Sequence, residues 1–352
     1  MAIYCVGFFL TVFFSLFSYD KSKPNDKKSL GQMVFTILSF LPLFTIASFR
    51  YGVGNDYFSY ANYFVNSLNH HFMEVGFDWL MQFIRGYTAN YVWMFAICSF
   101  IFLYFIYKAI YNQSPNPTLS IFLFICAPYY FEFFSGMRQM MAVAIFLYSI
   151  KYIKSRKLLP YLLLNIVGTL LHSSGLIFLP VYFLYNVKLK PKMCIFLGFL
   201  TIFSRPLIKK ILVNIIMVTK YSNYFDTKFN TGHFGIVTLL VPLFIFIFAI
   251  LYYNRHSDDV DQKDYQFYCN LMFIQVLIVL VQDLSPLITR IGWGFGISQI
   301  ILIPMALNKI NNKKNKLYFT VIICSLFVTY LCMMRFSGEG TLLPFRWFFD
   351  YL

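Results

Sequence analysis

Four short runs bring together side chains able to hold anions or move protons. The first is Arg50-Tyr51-Gly52-Val53-Gly54-Asn55-Asp56-Tyr57. Its two glycines let backbone N–H groups approach a ligand closely. Arg50 can hold an anion, and Asp56 can accept a proton or orient a hydroxyl; an Arg50–Asp56 salt bridge that folds the loop is the competing reading. The second is Ser135-Gly136-Met137-Arg138-Gln139, where an apolar run begins. A helix N-terminus beside an arginine favours anions through its free N–H groups and its dipole. The alternative there is an arginine that only snorkels. The third, His172-Ser173-Ser174, offers an imidazole that can serve as a base near neutral pH, or a turn histidine with a structural role. The fourth is Asp283 and Arg290, bracketing Leu284-Ser285-Pro286-Leu287-Ile288-Thr289. A weaker set lies in the tail, Arg335, Glu339, Arg346 and Asp350.

The elements that must carry these groups follow from composition. Of 352 residues, 59 % are hydrophobic and 12 % charged, and the mean hydropathy is +0.65. Soluble domains run at roughly 45–50 % apolar and about 25 % charged. That excludes a soluble globule and a disordered chain, and predicts an all-α polytopic membrane protein, 1–352 as a single integral-membrane domain. At about 20 residues per crossing, twelve crossings (range ten to fourteen) use roughly 240 residues. The apolar runs are 2–19, 31–49, 91–110, 118–135, 138–153, 158–171, 175–185, 193–204, 235–253, 266–282, 290–306 and 317–334. Residues 2–19 lack a basic start and a cleavage site, and read as a retained first span.

The stretch 158–185 is either one long helix or a tight pair turning at His172-Ser173-Ser174-Gly175. Charge favours the pair, because it puts Lys151, Lys154, Arg156 and Lys157 on the same side as Lys188, Lys190 and Lys192. That side then holds 18 basic residues and the other 11. By the positive-inside rule the richer side is cytoplasmic, and both termini lie outside. The richer side has 16 Lys and 2 Arg, whereas the outer side has 7 Arg and 4 Lys. Orientation needs only charge. A planar fork is favoured where phosphate or carboxylate must be held, so the outer arginines point to an anionic ligand.

Two outer segments, 50–90 and 205–234, are long enough to form the outer face of a site. Within the second, Ile208, Ile211, Leu212, Ile215 and Ile216 share a helical face opposite Lys209 and Lys210, as in a helix lying in the interface. Asp258-Asp259-Val260-Asp261 imitates a metal-binding acidic motif but falls on the cytoplasmic side, as a solvated acidic loop. The seven cysteines are scattered through apolar runs and read as small hydrophobes. There is no Walker A, HExxH, GxSxG or Cys/His cluster. ATP-driven transport, zinc proteolysis and serine hydrolysis therefore lack their residues. The basic excess is explained by membrane orientation, with no nucleic-acid partner.

Arg50-x-Gly52-x-Gly54-x-Asp56-Tyr57, then Arg138-Gln139 opening a span, Lys151-Tyr152-Ile153 before His172-Ser173, Pro180, and Arg290 opening a late span together resemble the EpsG family. That family stands with the Wzy-type polymerases of O-antigen and capsular polysaccharide. The resemblance covers roughly residues 30–310. It implies a GT-C-like glycosyltransferase of the bacterial inner membrane with periplasmic loop helices and a site facing the periplasm. Donor and acceptor would be undecaprenyl-diphosphate-linked glycan, with no cofactor and no metal. Membrane lipids and a chain-length regulator of the Wzz type would be its partners.

On that basis Arg138 and Arg290, with Arg50, are expected to neutralise the donor diphosphate, and His172 or Asp56 to take the acceptor's proton. Tyr51, Tyr57, Tyr60, Gln139 and Asp283 are candidate sugar contacts. An O-antigen ligase would share the outer arginines. A flippase, the alternative of another class, needs charges mid-span along a pathway, whereas here they cluster at the outer ends.

Overall fold

A computed structural model describes residues 1–19, 29–67, 73–127, 129–218, 236–252, 260–335 and 342–351. Among these residues every regular element is a helix. The one pairing of extended backbone is a bridge between Arg50 and Trp347. The helices are α1 (Ala2–Ser15), α2 (Leu30–Ser48), α3 (Tyr57–Asn66), α4 (Val75–Tyr87), α5 (Val92–Gln113), α6 (Pro117–Cys126), α7 (Tyr129–Ser135), α8 (Met137–Lys154) and α9 (Leu158–Leu171). A 3₁₀ helix (Ser173–Asn186) is followed by α10 (Pro191–Phe203), α11 (Arg205–Val218), α12 (Ile236–Leu251), α13 (Val260–Val279), α14 (Pro286–Gly296), α15 (Gln299–Asn308) and α16 (Lys313–Arg335).

Among the described residues, four helical stretches are long and apolar enough to cross a membrane: Leu30–Ser48, Val92–Gln113, Leu287–Asn308 and Lys313–Met333. The bent pair α6–α7 makes a fifth if it is one span. Other expected crossings correspond to shorter apolar helices, α1, α9, α10 and α12. At 1.5 Å per residue a 14-residue helix such as α9 reaches about 21 Å, less than the roughly 30 Å of a hydrocarbon core. The expected pair at 158–185 does turn back. His172 N–H donates to Gly168 O at 2.9 Å and Gly175 N–H to His172 O at 2.9 Å. Beyond the turn, the Tyr161 hydroxyl donates to Phe178 O and its ring meets Tyr182.

The chain divides into two compact units, Met1–Tyr182 with Leu307–Leu352, and Phe183–Ala306. In the first, α8 is buried along its length from Met137 to Ile153. Gly168 of α9 packs over Ala142 of α8, where a Cβ would make ordinary van der Waals contact at 3.6 Å. Two buried amides inside this bundle are satisfied: Gln113 donates to Leu147 O at 2.8 Å, and Asn165 to Ser149 Oγ at 2.9 Å. Apolar surroundings make such bonds costly to lose. In the second unit, Tyr265 donates to Ala249 O at 2.6 Å, tying α13 to α12, and Tyr185 donates to Asp264 at 2.7 Å.

Within 50–90, the described residues include two short helices, α3 and α4. Residues 205–218 are helical as their periodicity predicts, and 219–234 lie outside the described residues. Asp258 and Asp259 also lie outside them. Asp261 stands in the first turn of α13, where a negative charge complements the helix dipole.

Candidate functional site

The glycine loop after α2 is shaped by one close approach. Gly52 and Gly54 have φ of 63° and 103°, a region that side chains rarely adopt. A Cβ on Gly54 would stand 2.5 Å from Phe134 O, and Asn55 N–H donates to Ser135 Oγ at 3.1 Å. The loop is thereby clamped to the α7–α8 junction, directly before Arg138.

Arg50 performs this clamping. It is fully buried. Its Nε donates to Val53 O at 3.1 Å, and its terminal nitrogens to Ala47 O and to Phe134 O. Its guanidinium carbon lies 4.5 Å from the Phe134 ring centre and 4.7 Å from that of Phe95. Burial pushes the group down to about 10, so it stays charged at neutral pH. Neither the expected diphosphate contact nor a pairing with Asp56 describes it. Its donors face carbonyls and rings, and none reaches solvent.

The aromatic platform also differs from expectation. Tyr57 is buried and stacks on Phe95 at 4.5 Å, and Tyr60 is buried; both stand on the inward side of α3. Tyr51 is half-buried and stacks face to face on Tyr351 at 4.0 Å. The C-terminal segment covers this loop through Tyr51 N–H to Arg346 O at 2.9 Å and Phe348 N–H to Phe49 O at 2.8 Å.

The groups that do converge are Arg138, Glu74 and His172. Arg138 stands in the first turn of α8 and forms an ion pair with Glu74, both side chains retaining some exposure. The other Glu74 oxygen accepts Ser173 N–H at 3.3 Å. Glu74 precedes α4 without capping it; it reaches across to α8 and to the turn after α9. Gly76 permits this approach, since a Cβ there would lie 2.7 Å from the Leu170 Cβ. Burial disfavours the Glu74 charge, but Arg138, then His172 and the Ser173 N–H, hold its carboxyl below the usual range. The Tyr60 hydroxyl, raised by burial, lies within range of Arg138 and of half-buried Asp56. Gln139 is buried beside Arg138.

His172 is half-buried. Its Nδ1 accepts Ser174 N–H at 3.2 Å and lies 2.8 Å from Ser174 Oγ. A neutral ring so engaged carries its proton on Nε2, and therefore offers a donor and not a lone pair. Glu74 was not singled out among the sequence candidates. Its only signal was an acid two residues before a glycine at the start of an amphipathic helix.

Arg290 and Asp283 belong to the second unit. Arg290 is half-buried in the second turn of α14, at the start of the Leu287–Asn308 stretch. The Ser285 hydroxyl caps this helix, accepting Leu287 N–H at 3.3 Å. Asp283 pairs with Arg205, whose other nitrogen donates to Leu280 O at 2.6 Å. One Asp283 oxygen thus anchors the start of α11. Among the described residues, no three His, Cys, Asp or Glu side chains gather as a metal site.

The sequence matches the EpsG family over residues 33–347. No curated protein and no solved structure matches.

Proposed function

The chain belongs to the EpsG family, and from that membership we propose that it is a Wzy-like polymerase. It joins undecaprenyl-diphosphate-linked oligosaccharide repeat units into O-antigen or capsular polysaccharide. The work is done at the periplasmic face of the bacterial inner membrane, by a GT-C-like bundle with twelve crossings. The observation that carries this reading is the convergence of Arg138, at an α8 N-terminus, with the His172 turn and the glycine loop. A helix N-terminus with an arginine fork suits a diphosphate.

In this reading Arg138 neutralises the diphosphate as the sugar C1–O bond breaks, and Arg290 is a separate candidate for an anionic substrate group. Fixed positive groups aimed at developing charge contribute several kcal/mol in a site shielded from water. His172 Nε2–H donates to a phosphate oxygen or the acceptor, and Asp56 orients the acceptor sugar. A single displacement inverts the anomeric centre without a metal. Membrane lipids surround the bundle, and a Wzz-type regulator sets chain length.

The test is deletion of the gene followed by electrophoresis of surface polysaccharide. A single repeat on the core is the expected result. Complete loss of repeats would instead favour a ligase or a flippase.

A further inference from the structure

Glu74 occupies the place that the proposed function reserves for an anion. One oxygen meets the Arg138 guanidinium at the start of α8, and the other takes a turn N–H from Ser173. Guanidinium, helix N-terminus and backbone N–H are the donor set a phosphate oxygen prefers. The carboxylate filling it comes from a third element, brought there by the close contact of Gly76 with Leu170.

We infer that Glu74 is the resident counter-ion of Arg138, that the donor's diphosphate displaces it, and that the freed carboxylate is the catalytic base for the acceptor hydroxyl. The base assignment rests on the polymerase reading; the ion exchange does not.

A diphosphate carries more charge than a carboxylate and matches the arginine fork at two oxygens. When Arg138 turns to it, the main group holding the Glu74 carboxyl low is withdrawn. Burial then dominates and favours the protonated form. The base is thus strengthened only when the donor is in place. In the step itself, the acceptor O–H bond breaks and its proton passes to Glu74. The acceptor oxygen bonds to C1 of the donor sugar. The C1–O bond to diphosphate breaks, and its electron pair leaves with undecaprenyl diphosphate on Arg138. His172 cannot take this part while its Nδ1 holds the Ser174 N–H.

The experiment uses the full chain in nanodiscs, undecaprenyl diphosphate as binding probe, and lipid-linked repeats for extension. Glu74→Gln keeps the size and an oxygen for Ser173 N–H but removes the charge. It should bind the probe about tenfold tighter, a change of about 1.4 kcal/mol, while extending repeats roughly 10²–10⁴-fold more slowly. Equal or weaker binding overturns the counter-ion role, and extension at the wild-type rate overturns the base role. If Glu74→Gln is poorly produced, Glu74→Asp replaces it. Extension reduced more than about tenfold with undiminished binding supports the inference, and an unchanged rate overturns it. A wild-type chain that makes no polymer, while Glu74→Gln still tightens binding, overturns the polymerase reading and leaves the ion exchange standing.

Discussion

Gly54 and Phe134 meet backbone to backbone, so closely that a Cβ on the glycine would stand 2.5 Å from the Phe134 carbonyl oxygen. This contact joins the loop after α2 to the helix pair that presents Arg138. Gly54→Ala combines a φ of 103° with a clash against backbone that cannot swing aside. It should destabilise the protein by about 2 kcal/mol or more, read as a lower thermal midpoint in detergent. Gly86→Ala, with open space around its Cβ, should leave the midpoint within a degree or two.

Arg50 and Arg138 should separate cleanly. Arg50→Lys keeps the charge but cannot reach three carbonyls, and buried bonds from a charged donor contribute about 1.5–3 kcal/mol each. We expect low protein levels, and undecaprenyl diphosphate binding per folded molecule close to wild type. Arg138→Lys and Arg290→Lys should give normal protein levels and almost no long chains. Normal chains from either Lys variant would remove that arginine from any diphosphate contact.

His172 distinguishes a donor from a base. His172→Gln supplies an N–H near the Nε2 position and should retain measurable long chains. His172→Ala should leave single repeats with traces of polymer. If Gln is as inactive as Ala, a loss of about 10²–10⁴-fold, the imidazole itself carries the proton.

Sidedness can be mapped by single cysteines in a background without the native seven. Positions 157 and 314 should label only from the cytoplasm, and positions 90 and 173 only from the periplasm. Cytoplasmic labelling at 173 would put the Arg138 cluster on the wrong side for a periplasmic polymerase.

The membrane class, the helical content and the turn at His172 were legible in the sequence. Each is written locally, in apolar runs, in the basic clusters that flank them, or in a Ser-Ser-Gly break. The position of Arg138 in the first turn of a helix was also legible, because the apolar run begins directly after it. The partners of the charges were not. Asp283 lies seven residues from Arg290 yet pairs with Arg205, and Arg138 meets Glu74 across 64 positions. Arg50, which reads as an anion holder, is turned inward onto carbonyls and aromatic faces. Tyr57 and Tyr60, which read as a sugar platform, are buried. Periodicity and composition report which residues prefer an interface. Which side chain meets which carbonyl or carboxylate depends on how helices pack, and here on two glycines, Gly54 and Gly76, whose missing side chains let separate segments touch.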